Sequence, residues 1–200
     1  MVKARQPSPE ALAAAAVALS CRVGAIRAFA RVEAGACGAF LDLPGEPPLI
    51  LFERHVFHRL TEGRFGGHYA EGLPESCALI SSPERGGYGP VRLQHARLAA
   101  ARSLDDEAAV MATSWGAWQI MGLNWRRCGC RSLADFEAAM RRSVDDQLQL
   151  FAAFIHSDGR LQIALQREDA VTLARLYNGE DFASHGYHIR LAQAFREETA

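Results

Sequence analysis

The sequence predicts a mainly α-helical domain with at most a small β element near residues 40–52. Apolar residues recur at alternating steps of three and four along most of the chain, which is the spacing of one helix face. Strand-like sequence is confined to residues 48–52, a short apolar run followed at once by charged residues. Residues 63–90 are rich in glycine and proline, so they are expected to be mostly loop or turn.

The whole chain, residues 1–200, is expected to form one domain. Its composition, 49% hydrophobic and 22% charged, is ordinary for a globular protein of this length. A formal net charge of -1 provides no overall field to attract nucleic acid or an anionic membrane. Neither is therefore expected as a partner.

The first helix is predicted to begin after Ser8. This serine can cap the helix, Pro9 suits its first position, and Glu10 places an acid in its first turn. The apolar run that follows, residues 11–19, would be about 14 Å long as a helix, whereas a membrane core is ~30 Å thick. We therefore interpret the run as a helix of the mature protein. Synthesis in the cytoplasm without a signal peptide and without membrane insertion is expected.

Further helices follow from the same periodicity. The apolar stripe continues past a break near residues 20–24, and a second long stripe covers residues 134–155. Shorter helices are predicted at 93–112, 116–123, 161–166, 169–177 and 187–197.

The cysteines and histidines predict no disulfide framework and no metal site. The five cysteines are an odd number at scattered positions, which favours free thiols in a reducing compartment. His55 and His58 are three residues apart, but no further ligands accompany them. Neither a metal nor an organic cofactor is expected.

Glu33 occupies a position in the first apolar stripe where an apolar residue is due. Burial of a carboxyl group raises its pKa, and a protonated carboxylic acid beside a cleft can donate a proton to a leaving oxygen. The alternative is that Glu33 only caps the helix or pairs with Arg27 or Arg31.

Glu53 directly follows the strand-like run and is the candidate for a second carboxylate, since glycosidases pair an acid with a carboxylate. It could instead form an ion pair with Arg54 or His55. Asp42 is a third candidate, although a turn-forming role would also explain it.

Two further segments suggest carbohydrate binding. Ser114, Trp115 and Gln119 lie in an apolar segment bounded by glycines, where indole rings could stack on sugars and an amide could bind a hydroxyl group. Tyr177 and Asn178 precede Gly179 at a predicted helix end, where Asn178 or Gly179 would adopt the left-handed cap.

Taken in order, these segments resemble the lysozyme-like superfamily of goose-type lysozymes and lytic transglycosylases. The matching segments are Val32-Glu33-Ala34, Gly116 to Met121, and Leu176-Tyr177-Asn178-Gly179. Residues 50–57 and 114–122 look characteristic of the N-acetylmuramidase family of phage endolysins and related bacterial proteins. The resemblance covers residues 8–197.

The resemblance implies a lysozyme-like fold and hydrolysis of the β-1,4 bond between N-acetylmuramic acid and N-acetylglucosamine in peptidoglycan glycan strands. It implies Glu33 as the acid and Glu53 as the second carboxylate. Two features depart from the family. The chain has no room for a separate peptidoglycan-binding domain, and the segment 34–52 is a few residues longer than usual.

Two alternatives remain open on sequence alone. In a lytic transglycosylase, Glu33 would act as acid and then base and would yield 1,6-anhydro products. A catalytically inactive peptidoglycan-binding module would keep the groove without the chemistry. For either enzyme, action in the periplasm or cell wall would require delivery by a holin, a phage lysis system or a secretion apparatus.

Overall fold

The computed structural model describes residues 5–183 and 186–198, and within these ranges the chain is mainly helical. Eleven α-helices fall in the described part of the chain: α1 Pro9–Leu19, α2 Val23–Ala34, α3 Arg54–Leu60, α4 Glu75–Ala78, α5 Gln94–Leu104, α6 Asp106–Met111, α7 Leu133–Arg142, α8 Val144–His156, α9 Gly159–Gln166, α10 Ala170–Asn178 and α11 Tyr187–Glu197. Three short strands accompany them: β1 Ile50–Phe52, β2 Thr113–Trp115 and β3 Ile120–Met121. The predicted fold class is confirmed.

The N-terminal helix pair forms as the sequence predicts. The Ser8 hydroxyl caps α1 by accepting from the Ala11 amide at 3.2 Å, and it also donates to Asp145 of α8 at 2.8 Å. Ser20 adopts the left-handed conformation that ends α1. The break allows α1 to pack on α8 while α2 packs on α11.

Two of the predicted helical stripes are each interrupted once. Residues 93–112 divide at Asp105, and residues 134–155 divide at Ser143, because both residues have extended backbones. Each side chain caps the helix that follows, accepting from the Ala108 and Asp146 amides respectively, both at 3.0 Å. The apolar stripe continues through a cap, so periodicity alone does not reveal the bend.

The α-helix predicted over residues 116–123 is wrong, because residues 116–121 form the turn and second strand of a β-hairpin and Gly122–Asn124 form a 3-10 helix. Strands β1, β2 and β3 form one antiparallel sheet in that order. The turn places Gly116 at φ +72° and Gln119 at φ +47°, in the left-handed region that helices exclude. The sheet therefore extends beyond the β element expected near residues 40–52.

Residues 63–90 are mostly irregular, as predicted. They contain only α4 as regular structure and an isolated bridge between Tyr69 and Leu79. The helix α3, directly before this segment, was not predicted.

The five cysteines are free thiols, of which Cys77 and Cys128 are buried. Burial raises the pKa of Cys128 to about 12. Over the described ranges, no single helix is long and apolar enough to span a membrane. The α1–α2 region meets the length and composition test only as a pair, which is bent by 106°.

Candidate active site

A cleft of about 370 Å³ lies between the helices and the small sheet. Its lining comes from the end of α2, from α8 and α10, from β1 and α3, and from the β2–β3 hairpin. Six of the eight candidate side chains line it: Glu33, Glu53, Ser114, Gln119, Tyr177 and Asn178. Residues that are up to 145 positions apart in the sequence therefore meet at one surface.

Glu33 lies in the last turn of α2, which ends at Gly35. Its side chain reaches solvent only through the cleft, and protein atoms surround the rest of it. Burial raises the pKa of Glu33 to about 7, although hydrogen bonding to Tyr187, the charge of Arg190 and hydrogen bonding to Asn178 act in the opposite direction. A substantial fraction of this carboxyl group is therefore protonated near neutral pH.

The hydrogen bond to Glu33 is donated by the Tyr187 hydroxyl at the start of α11. Glu33 does not pair with Arg31, so the alternative that this ion pair explains Glu33 is not supported. The Arg31 guanidinium instead lies 2.8 Å from Glu197.

Glu53 lies between β1 and α3, where its amide donates to the Ala112 carbonyl at 2.9 Å. The Tyr88 hydroxyl donates to the Glu53 carboxylate at 3.0 Å. Burial raises the pKa of Glu53, while Tyr88 and the charges of Arg85 and Arg97 oppose the rise.

His55 accompanies Glu53 but does not hydrogen bond to it. Its Nδ1 lies 3.2 Å from the carboxylate, within ion-pair distance, yet this buried nitrogen makes no hydrogen bond among the described residues. Burial and the charges of Arg85, Arg59 and Arg54 lower the pKa of His55, so the imidazole is neutral at neutral pH.

A buried polar pair holds the loop that carries Tyr88. The Gln94 amide donates to the Tyr88 carbonyl, and its oxygen accepts from the Phe52 amide at 3.1 Å. Arg97, fully buried, donates to the Tyr88 carbonyl at 3.2 Å and to the Leu79 carbonyl at 3.3 Å. The Tyr88 loop and strand β1 are thereby fixed to each other on either side of Glu53.

The hairpin turn that carries Gln119 is fixed at three points. The Gln147 side chain accepts from the Ala117 amide at 2.9 Å, and the Trp118 indole donates to the Ile26 carbonyl at 3.3 Å. The Tyr177 hydroxyl donates to the Trp118 carbonyl at 2.6 Å. Gln119 donates within its own turn to the Gly116 carbonyl at 2.8 Å, which leaves its side-chain oxygen available in the cleft.

Tyr177 lines the cleft, but its hydroxyl group is occupied by the hairpin. Its ring packs against Phe29 and Phe154, with centroid distances of 4.7 and 5.4 Å. Its position is thus better suited to forming the cleft wall than to binding a sugar through the hydroxyl. Gly179 ends α10 at φ +82°, as expected from the sequence.

Trp115 is not a cleft residue, and its predicted contact with substrate is wrong. Trp115 is 0% and Trp118 is 1% exposed. The Trp115 indole donates to the Val110 carbonyl at 3.2 Å, and Trp118 stacks on Phe151. Neither ring has an accessible face for a sugar. Alternation along β2 explains the difference, since Ser114 faces the cleft and its neighbour faces the core.

Asp42 also lies away from the cleft. Its side chain is 98% exposed, and its closest cation, Arg5, is 3.7 Å away. Of the two candidates for a second carboxylate, only Glu53 shares the cleft with Glu33.

Sequence reasoning missed the side chains that adjust the two acids. Tyr187 is the first residue of an amphipathic helix, and Tyr88 lies in a glycine-rich loop. The only signal in the sequence is that each is a tyrosine, an aromatic residue with a polar hydroxyl group, in or next to a loop. The cleft residues Arg59 and Arg85 were also missed, because exposed arginines give no distinctive local pattern.

A small antiparallel sheet beside a helical core, with two carboxyl groups in the cleft between them, defines a lysozyme-like protein. The chain belongs to the N-acetylmuramidase family, whose sequence model matches residues 22–199. It is a peptidoglycan-cleaving enzyme.

Comparison of structures gives the same classification. The chain is similar to the crystal structure of the Burkholderia AP3 phage endolysin, with a TM-score of 0.79 and 32% sequence identity. The match covers 100% of this chain and 73% of the other. No protein of curated function matches the sequence.

Proposed function

We propose that the protein hydrolyses the β-1,4 bond between N-acetylmuramic acid and N-acetylglucosamine, with Glu33 as general acid. The observation that carries this proposal is the raised pKa of Glu33, about 7, at the wall of a cleft it shares with Glu53. An acid is most effective when its pKa lies near the working pH. Glu33 would protonate the glycosidic oxygen as the bond breaks.

Glu53 is the proposed second carboxylate. Burial raises the pKa of Glu53, while hydrogen bonding to Tyr88 and the nearby charges of Arg85 and Arg97 favour its ionised form. In that form it would take a proton from the water that attacks the sugar carbon. Two acids with different surroundings can divide the acid and base roles in this way. In the complex with substrate, we expect the carboxyl groups of Glu33 and Glu53 to be about 6.5–9.5 Å apart, which is the spacing of an inverting hydrolase.

Gln119, Ser114 and Asn178 would bind the sugars next to the scissile bond. The free side-chain oxygen of Gln119 suits a hydroxyl or acetamido N–H donor. Delivery to the wall by a holin, a phage lysis system or a secretion apparatus completes the proposal, which similarity to a phage endolysin supports.

The test is product analysis on purified peptidoglycan. We expect products with reducing-end muramic acid, and we expect the first-formed product to have an inverted anomeric configuration. Products lighter by one water, with a 1,6-anhydro ring, would instead establish a lytic transglycosylase. Retained configuration would remove the role of Glu53 as a base.

Variants test the two acids separately. Glu33→Gln should fold and lose about 10²–10⁴-fold in kcat, the contribution expected of a general acid. Glu53→Gln should also lose most activity, whereas Glu107→Gln, exposed and outside the cleft, should keep it. Substantial turnover by folded Glu33→Gln would contradict the assignment.

A further inference from the structure

Among the described residues, two arginine side chains on the cleft wall form no close ion pair. Arg59, near the end of α3, and Arg85, in the loop before Tyr88, are both exposed and both line the cleft with Glu53 and His55. Within residues 5–183 and 186–198, neither guanidinium forms a hydrogen bond or an ion pair. The Arg54 side chain is tied to this loop, since it donates to the carbonyls of Glu84 and Arg85.

Several other exposed arginines in the protein do form close ion pairs. Arg22, Arg142 and Arg160 lie within 2.8 Å of a carboxylate on a neighbouring turn or helix. Other exposed arginines, such as Arg92 and Arg167, form no ion pair among the described residues, but they do not line the cleft. At the Glu53 end of the cleft, two arginines without a close ion pair lie beside a single lining carboxylate, that of Glu53.

The charge at this end of the cleft is consequently positive in a chain whose net charge is -1. Arg54, Arg59 and Arg85 lie around a neutral histidine, His55, and Arg85 also lies near the one carboxylate there, Glu53. Burial lowers the pKa of His55, and the charges of the three arginines lower it further. An anionic group of a bound ligand would be stabilised here, in a place where water is partly excluded.

We propose that Arg59 and Arg85 bind a carboxylate of the glycan substrate and so select strands that contain muramic acid. This inference rests on the proposed function. Muramic acid carries a lactyl group, whose carboxyl group is either free or bears a peptide stem with carboxylates of its own. Polymers of N-acetylglucosamine alone have neither. A guanidinium matches a carboxylate with two parallel hydrogen bonds, which makes arginine the suitable residue type.

The test compares the double variant Arg59→Gln/Arg85→Gln with a matched control, Arg92→Gln/Arg167→Gln. The control removes the same charge from exposed arginines that do not line the cleft. Four soluble substrates are used. Two are glycan strands with peptide stems and strands freed of stems by an amidase, and the other two are the same strands after their carboxyl groups are amidated with methylamine. The stems and the lactyl group are thereby tested as separate sources of the carboxylate.

We expect the cleft double variant to raise KM about tenfold on the anionic strands while kcat changes little. Amidation should raise the KM of the wild type by a similar factor and leave that of the double variant unchanged, because both changes remove one interaction. If the KM of the double variant rises on stem-bearing strands only, the arginines bind the stem carboxylates. If it rises on stem-free strands, they bind the lactyl carboxylate.

The proposal would be overturned if the double variant had an equally raised KM on anionic and on amidated strands. It would also be overturned if its KM were unchanged on both. Binding provides a readout independent of turnover: co-sedimentation of the Glu33→Gln protein with insoluble peptidoglycan should weaken with salt, and less so when both arginines are replaced. A wild type that binds in this way but cleaves nothing would count against the proposed function and leave the carboxylate site supported.

Discussion

At the scale of single residues, the environment of Glu33 has one large effect on its pKa and several smaller effects in the opposite direction. Burial raises its pKa to about 7, and hydrogen bonding to Tyr187 is the strongest effect in the opposite direction. The hydroxyl group stabilises the carboxylate and so favours release of the proton. Tyr187 therefore limits how far the pKa of Glu33 rises.

Replacing Tyr187 with phenylalanine should raise the pKa of Glu33 above its present value. Because the proposed reaction requires protonated Glu33, activity falls as pH rises through this pKa, and the alkaline limb of the kcat/KM profile should move to higher pH. The measurement is a pH–rate profile on one peptidoglycan substrate.

The matched control is Tyr177→Phe, which also removes a buried hydroxyl group from the cleft wall. That hydroxyl donates to the Trp118 carbonyl and not to Glu33. Its loss should affect the hairpin turn and lower activity at all pH values without moving the limb. A limb that stays in place for Tyr187→Phe would show that Tyr187 does not control the acid.

Sequence alone identified the cleft residues whose chemistry conflicts with their surroundings. Glu33 was conspicuous because it interrupts an apolar stripe, and Gln119 because it is polar among apolar neighbours. Trp115 was misassigned because burial of an indole depends on which side of a strand it occupies. That side was not predictable while residues 116–123 were interpreted as a helix.

At the scale of elements, the β2–β3 hairpin brings Gln119 to Glu33, and close packing fixes its position. A Cβ atom on Gly122 would lie 2.1 Å from the Val110 carbonyl oxygen. This approach of α6 to the hairpin accepts only glycine. The two glycines that bound this apolar segment are therefore required, Gly122 for a close contact and Gly116 for its positive φ.

Gly122→Ala should force the hairpin away from α6, with a loss of about 1–3 kcal/mol in the free energy of unfolding, the typical cost of overpacking. Activity should fall further than stability, since Gln119 would shift. Urea unfolding and kcat/KM provide the two readouts. Gly159→Ala is the control, because nothing lies within 4 Å of a Cβ there, and it should be nearly neutral. Normal activity in Gly122→Ala would show that the hairpin tolerates displacement.

Helices were predictable to the extent that local signals mark them. Ser8 and Pro9 correctly predicted the start of α1, and α10 ends at Gly179 as expected. The bends at Asp105 and Ser143 were not predicted, although both residues are good N-caps, because the apolar periodicity continued across them. Pairing of β1 with β2 connects residues more than 60 positions apart, and no local signal reports a contact of that range.

At the scale of the whole molecule, the proposed catalytic acid reduces the stability of the fold. Unfolded Glu33 would release its proton near the ordinary value of 4.5, whereas in the folded protein it does so near 7. Between these values the unfolded state binds fewer protons than the folded state, so stability falls as pH rises. The loss begins near pH 4.5 and levels off above about pH 7. Its full size is at most about 3 kcal/mol, since the side chain keeps some contact with water.

Glu33→Gln should therefore stabilise the protein while it abolishes activity. The amide oxygen of glutamine can still accept from Tyr187, and glutamine has no charge to bury. We expect the free energy of unfolding of the variant to exceed that of the wild type by up to about 3 kcal/mol at pH 8, and we expect this excess to disappear at pH 4. Urea unfolding at the two pH values measures it, with the exposed Glu107→Gln variant as the control for loss of a surface charge. A variant that is equally or less stable than the wild type at pH 8 would mean that burial does not disfavour the ionised form of Glu33. The raised pKa, and with it the central argument for Glu33 as the acid, would then be withdrawn.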